Sequence, residues 1–157
     1  MIGVFATGLL GAMAIVITGF VACTEFGSYA FVHPVLRRLP EKQWLQVEQG
    51  LLGTFGKVMP IGMIISVILA IVLLVDAWGG PVLGVVMTGL ATICFVVTVL
   101  CTVRVNVPIN LATARIPMDR PPADWRAMRA RWEVFQALRS WLMLGGFAAI
   151  TVAVVSA

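Results

Sequence analysis

Val82-Leu83-Gly84-Val85-Val86-Met87-Thr88-Gly89-Leu90-Ala91-Thr92-Ile93-Cys94-Phe95-Val96-Val97-Thr98-Val99-Leu100-Cys101-Thr102-Val103 carries no charged residue. Wound as an α-helix at 1.5 Å per residue, the run spans about 33 Å, enough to cross the hydrocarbon core of a bilayer. Three more runs share this character: residues 2–23, 58–75 and 140–157. The last covers only about 27 Å, so its helix is expected to begin earlier. The chain as a whole agrees, with 61% hydrophobic and 11% charged residues and a mean hydropathy of +1.02. An ordinary soluble domain has roughly a quarter of its residues charged, and disordered chains are poor in hydrophobic residues, so both classes are excluded.

The expected fold is all-α: one polytopic membrane domain over residues 1–157, a four-transmembrane-helix bundle. Gly3, Gly8, Gly11 and Gly19 in the first span would permit close helix contacts. The first span lacks a basic start and an Ala-x-Ala site, so it is expected to stay as a span rather than act as a cleaved signal. Asp76 to Pro81, with Ala77, Trp78, Gly79 and Gly80 between, reads as a tight connection. Between spans one and two, Trp44, Val47, Leu51 and Phe55 recur at helical spacing, which predicts an amphipathic helix at the inner surface. Glu48 is its residue to watch.

Charge placement suggests orientation. All eleven Lys and Arg residues, from Arg37 to Arg139, fall in the first and third connections or at their edges. Short cytoplasmic loops hold the positive charge, so these connections are expected inside and both termini outside, in a bacterial inner membrane. The net charge of +4 is then a topology signal, and no nucleic-acid partner is expected. Cys23, Cys94 and Cys101 form no Cys-x-x-Cys pair, and His33 is the only histidine. A disulfide framework and a zinc site are disfavoured; Cys94, Thr98 and Cys101 read as packing residues on one face.

Polar groups at membrane depth suggest function by default. Glu25 and His33 stand eight residues apart on the continuation of span one, about 12 Å along a regular helix and about 80° around it. They could edge one cavity at two depths; the plainer reading pairs Glu25 with an arginine of the other connection and has His33 end the helix before Pro34. Asn106 and Asn110 flank Pro108, which frees a backbone carbonyl. From Arg129, the offsets to Trp132, Gln136 and Arg139 place all four within a sector of about 80°. Arg126 and Arg131 read as snorkelling surface charges, whereas Arg139 lies where the apolar span begins.

The run Asn106-Val107-Pro108-Ile109-Asn110, then Trp125, Arg131-Trp132 and Arg139, with His33-Pro34 and Val58-Met59-Pro60 upstream, resembles the small four-span anthrone-oxygenase-like proteins, also described as domain of unknown function 1772. Gln136 stands where that family usually has Asn or His. The resemblance implies oxidation of an anthrone to a quinone by O₂ without a metal or flavin. Such chemistry needs a base, donors for a developing oxyanion and a dry pocket. Glu25 or His33 would be the base, Asn106, Asn110, Arg129 and Arg139 the donors, and Trp132 a stacking wall. The expected function is therefore a membrane oxygenase acting on a lipophilic anthrone, phenol or quinone-like molecule. The alternative is a non-catalytic accessory or lipid- or quinone-binding subunit, with a small transporter or haem protein behind it. No cofactor is predicted, though a quinone or a haem on the single histidine stays open. Expected partners are the lipid bilayer, a lipophilic small molecule and a second copy or a membrane-complex subunit.

Overall fold

The computed structural model describes residues 2–157, with side chains from residue 8 onward. Helix α1 (Ile2–Gly27) runs through a widened π-helical turn (Ser28–Val32) into the short α2 (His33–Leu36). Helix α3 (Glu41–Asp76) returns, and α4 (Val82–Cys101) passes through a second π-helical turn (Thr102–Asn106) into α5 (Val107–Ala114). Helix α6 (Trp125–Val155) closes the bundle. Segments Gly8–Leu36, Glu41–Asp76, Val82–Ala114 and Trp125–Val155 are each long and apolar enough to cross a membrane. The chain is an all-helical integral membrane protein.

Each widened turn ends two residues before a proline. Pro34 and Pro108 have no N–H, and their rings would crowd the carbonyl four residues back. Opening the turn relieves this: the His33 amide bonds Ser28 O and the Val107 amide bonds Thr102 O, five residues apart rather than four. The prolines therefore bend the register without ending the rods, and the first rod continues past Pro34 to Leu36.

The expected surface helix between the first two spans is not a separate element. It forms the first part of α3, and Pro60 sits well inside that helix rather than near its start. Trp44, Leu45 and Glu48 are buried, whereas Val47 and Phe55 are exposed. The apolar spacing is real, but only the part of that face bearing Trp44 turns into the bundle. Likewise α6 begins at Trp125, so the arginine face belongs to the same rod as the last span. At the opposite end the Asp76–Pro81 turn closes through Gly80 N–H to Ala77 O at 3.0 Å. Gly79 supplies the left-handed φ of 83°, which side-chain-bearing residues rarely adopt.

Around the bundle the order is α1, α6, α4, α3, each rod packing on its two neighbours. Ala14, Val21, Met63, Ala70, Ala91, Phe95, Met143 and Ile150 fill the apolar core. Thr98 is buried and back-bonded to Cys94 O at 2.9 Å, a packing arrangement. Small residues set the helix spacing. A Cβ on Gly19 would come within 2.9 Å of the Phe147 ring, and one on Gly146 would overlap the Phe95 ring. Gly8 faces open space, and Gly3 lies outside the residues whose side-chain surroundings are described.

The α4–α6 contact at Phe95 gives a direct test. Gly146→Leu should destabilise the protein by about 1–3 kcal/mol through overpacking, read by thermal unfolding in detergent. Gly145→Leu, where an added Cβ meets nothing within 4 Å, should be close to neutral. Equal effects at the two positions would contradict the packing described.

Candidate functional site

Helices α3 and α6 face each other across the diagonal of the bundle, and toward the end bearing the basic connections that gap is filled by long polar side chains. Two ion pairs occupy it. Nearer the connections, Arg129 Nη2 donates to Glu48 Oε2 at 2.6 Å, and Trp44 Nε1 donates to Glu48 Oε1 at 3.0 Å. Deeper, Arg139 Nη2 lies 3.1 Å from Glu25 Oε2. Gln136 Nε2 donates to the same carboxylate oxygen at 2.9 Å.

Arg139 is held on every nitrogen. Its Nε donates to Gln136 Oε1 at 2.8 Å and its Nη1 to Thr102 Oγ1 at 3.2 Å. Thr102 in turn donates to Thr98 O at 2.8 Å, at the start of the second widened turn. Ser140 Oγ sits 2.7 Å from Gln136 O and 3.1 Å from Glu25 O, tying α6 to α1. These charges are paired and hydrogen-bonded, the condition under which buried ions are tolerated.

Trp132 separates the two layers. The Arg129 guanidinium lies 4.1 Å from its ring centroid and that of Arg139 5.7 Å, both within cation–π range. The His33 ring packs on it too, centroids 4.8 Å apart and tilted by 51°. Glu48 Oε1 lies 3.6 Å from His33 Nδ1.

A cavity of about 60 Å³ opens among these groups, walled by Glu25, Ser28, His33, Glu48, Thr102, Asn110, Trp132, Gln136 and Arg139. Its apolar side is formed by Leu51, Leu52, Phe55, Gly56, Met59, Pro60 and Val107. Of these, Phe55 and Gly56 are exposed. Pro60 lacks the N–H that would bond the Gly56 carbonyl four residues back, so the cavity borders a polar backbone group as well. Irregular backbone at membrane depth is tolerated where it lines a cavity.

Five of the seven residues singled out from the sequence line this cavity: Glu25, His33, Asn110, Trp132 and Arg139. Asn106 and Arg129 do not. Asn106 is buried behind the wall with Nδ2 donating to Trp132 O at 3.3 Å, and Arg129 is buried against Glu48. Asn106 and Asn110 flank Pro108 but do not share the site, Asn106 lying at the end of the widened turn and Asn110 within α5. The first widened turn, by contrast, lies between Glu25 and His33 and brings them together. The widened turn absorbs about one residue's rotation, roughly 100°, so their offset shrinks from about 80° to near alignment.

The sequence reading understated Glu48 and Gln136. Glu48 was hidden by the amphipathic pattern around it; Gln136 was visible only as a member of the Arg129–Arg139 face. Arg126 and Arg131 are exposed, matching their reading as surface charges. Among the described residues, His33 Nδ1, Asn110 Oδ1 and Trp132 Nε1 are buried without a hydrogen-bond partner. Arg129 Nε and Nη1 share that state, but away from the cavity wall.

The pairing predicts non-additive stability. Glu25→Leu leaves Arg139 buried without its counter-charge and should cost about 3–5 kcal/mol. Adding Arg139→Met should restore most of that loss, as measured by denaturant titration in micelles. A double variant no more stable than the single would show that the pair does not couple α1 to α6.

In comparison with known proteins, the family model described as anthrone oxygenase matches residues 51–149. That stretch includes Asn110, Trp132, Gln136 and Arg139, while Glu25, His33 and Glu48 lie before it. No curated protein and no solved structure matches the chain.

Proposed function

The chain belongs to the anthrone oxygenase family, and on that premise we propose that it is a membrane oxygenase that converts an activated CH₂ of a flat, lipophilic phenolic ketone to a carbonyl. The observation that carries this reading is the shared cavity: one histidine, one arginine and one asparagine converge on it beside a tryptophan face.

The polar part of the cavity, about 60 Å³, suits the oxygen-bearing edge of a ring and O₂. The remainder of a flat ligand would extend past Leu52, Phe55 and Pro60 toward lipid. His33 takes a proton from the acidic CH₂. Arg139 and Asn110 stabilise the oxygen anion that forms on the neighbouring ketone, as fixed donors in a dry site do. Trp132 walls the cavity beside the ring.

The electron-rich carbanion passes one electron to O₂, and the resulting radical pair joins to form a C–O bond. The peroxide anion recovers the proton from His33. Loss of the second C–H proton with O–O cleavage then gives the carbonyl and water. Overall, R₂CH₂ and O₂ become R₂C=O and H₂O, with no other oxidant or reductant required.

Glu25 is less suited to the base role because Arg139 and Gln136 already hold its carboxylate. In this proposal it anchors Arg139. The basic connections face the cytoplasm, following the positive-inside rule, which places the cavity in the cytoplasmic leaflet.

Oxygen uptake by the purified protein with an anthrone tests the reading. One O₂ should be consumed per quinone formed. His33→Ala should lower kcat by about 10²–10⁴-fold, the range for loss of a general base. Asn110→Ala should lower it by about 10²-fold, the lower end for an oxyanion donor. Unchanged turnover in His33→Ala would overturn the mechanism. No uptake at all, with only phospholipid bound, would move the assignment to a non-catalytic accessory subunit.

A further inference from the structure

Glu48 takes no part in the reaction just described, yet three elements converge on it. It comes from α3, accepts hydrogen bonds from Arg129 of α6 at 2.6 Å and from Trp44 at 3.0 Å, and lies 3.6 Å from Nδ1 of His33 on α2. Glu48 and His33 are 2% and 3% exposed, so water does not compete strongly for either. The His33 ring is pressed on Trp132, which Arg129 covers from its own side. The edge of the imidazole that meets Glu48 is therefore fixed by packing.

A neutral imidazole carries its hydrogen on one nitrogen and a lone pair on the other. An ionised carboxylate only accepts, and the Arg129 contact supplies the counter-charge that favours that state. The hydrogen then belongs on Nδ1, facing Glu48. The separation exceeds hydrogen-bond length by only a few tenths of an ångström.

Other charges face the same ring region. Arg129, Glu133 and Arg139 come from α6, Arg37 follows α2, and Glu25 lies deeper in the cavity. Glu133 is engaged by Arg37 at 3.4 Å and Glu25 by Arg139 at 3.1 Å. Among the described residues Glu48 is the only carboxylate within 4.0 Å of a ring nitrogen of His33.

We propose that Glu48 is a positioning residue that holds His33 in the Nδ1–H tautomer, so that Nε2 carries the lone pair that takes the substrate proton. The proposal rests on His33 being the base in the reading above, but the tautomer can be measured without substrate. His33 is the only histidine in the chain, so ¹⁵N-histidine labelling reports it alone.

Protein in micelles at neutral pH should show a protonated Nδ1 and an unprotonated Nε2. In a Trp44→Phe, Glu48→Gln double variant the indole N–H that donates to the oxygen facing His33 is gone; the amide oxygen is claimed by Arg129, so the NH₂ group turns toward His33 and donates to Nδ1. The hydrogen should then move to Nε2, with kcat falling by about 10²-fold or more, as expected for a catalytic histidine held in the wrong tautomer. Trp44→Phe removes a neighbouring bond to Glu48 and should leave the tautomer unchanged.

An Nε2–H tautomer in the unsubstituted protein would overturn the proposal whatever the activity, and so would an Nδ1–H tautomer that persists in the Trp44→Phe, Glu48→Gln double variant. The wild-type measurement stands even if the variant fails to fold. The expected tautomer shift in a protein that oxidises no anthrone would support the positioning role and overturn the oxygenase reading instead.

Discussion

Two guanidinium groups lie buried inside a membrane bundle, and the local structure is organised around keeping them there. An isolated ion at that depth is strongly unfavourable. Each arginine therefore has its own carboxylate, Glu48 for Arg129 and Glu25 for Arg139. The two pairs bring the four charges to balance. Trp132 stands between the layers with its face toward both cations, which adds attraction without adding a charge. Because α6 carries both arginines while the carboxylates come from α1 and α3, the pairs join three rods across a gap that apolar packing leaves open.

That gap depends on the prolines. Pro34 and Pro108 each impose a widened turn on a helix that would otherwise run straight, one bringing His33 into line with Glu25 and the other ending at Asn106. Pro60 frees the Gly56 carbonyl beside the same cavity. In lipid such irregular backbone would be costly unless buried in protein or facing a polar space. The three prolines are therefore concentrated where the side chains are most polar. Away from this end the rods meet through Gly19, Gly146 and a core of aliphatic, methionine and phenylalanine side chains, with little polar chemistry beyond back-bonded hydroxyls.

The bundle was legible because an uncharged run of bilayer length has few alternatives. The arginine face was legible as well, since α6 is regular through Trp125–Val155 and its spacing converts directly to angle. The position of His33 was not. Regular helical geometry is the only ruler a spacing argument has, and it fails by about one residue wherever the turn widens. The helix between the first two spans is present but continuous with the second span, and its surroundings were not legible because an amphipathic pattern states that one face is apolar without stating what covers it. Trp44 and Glu48 face the protein, whereas Phe55 is exposed.

Hydrogen-bond saturation separates the two titratable residues that the sequence offered as equivalent bases. Glu25 is a fully engaged carboxylate: it is the counter-charge of Arg139 and accepts from Gln136, contacts that stabilise the fold. His33 has Trp132 against its face and Glu48 just beyond bonding distance of Nδ1. In the proposed reaction the substrate proton goes to the other ring nitrogen, Nε2, and no existing ion pair is broken. A buried group whose bonds are complete holds the structure together, and a neighbouring group whose bonds are one short is the one with capacity to exchange a proton. The same cavity therefore contains a structural acid and a candidate base, distinguished by how many partners each already has.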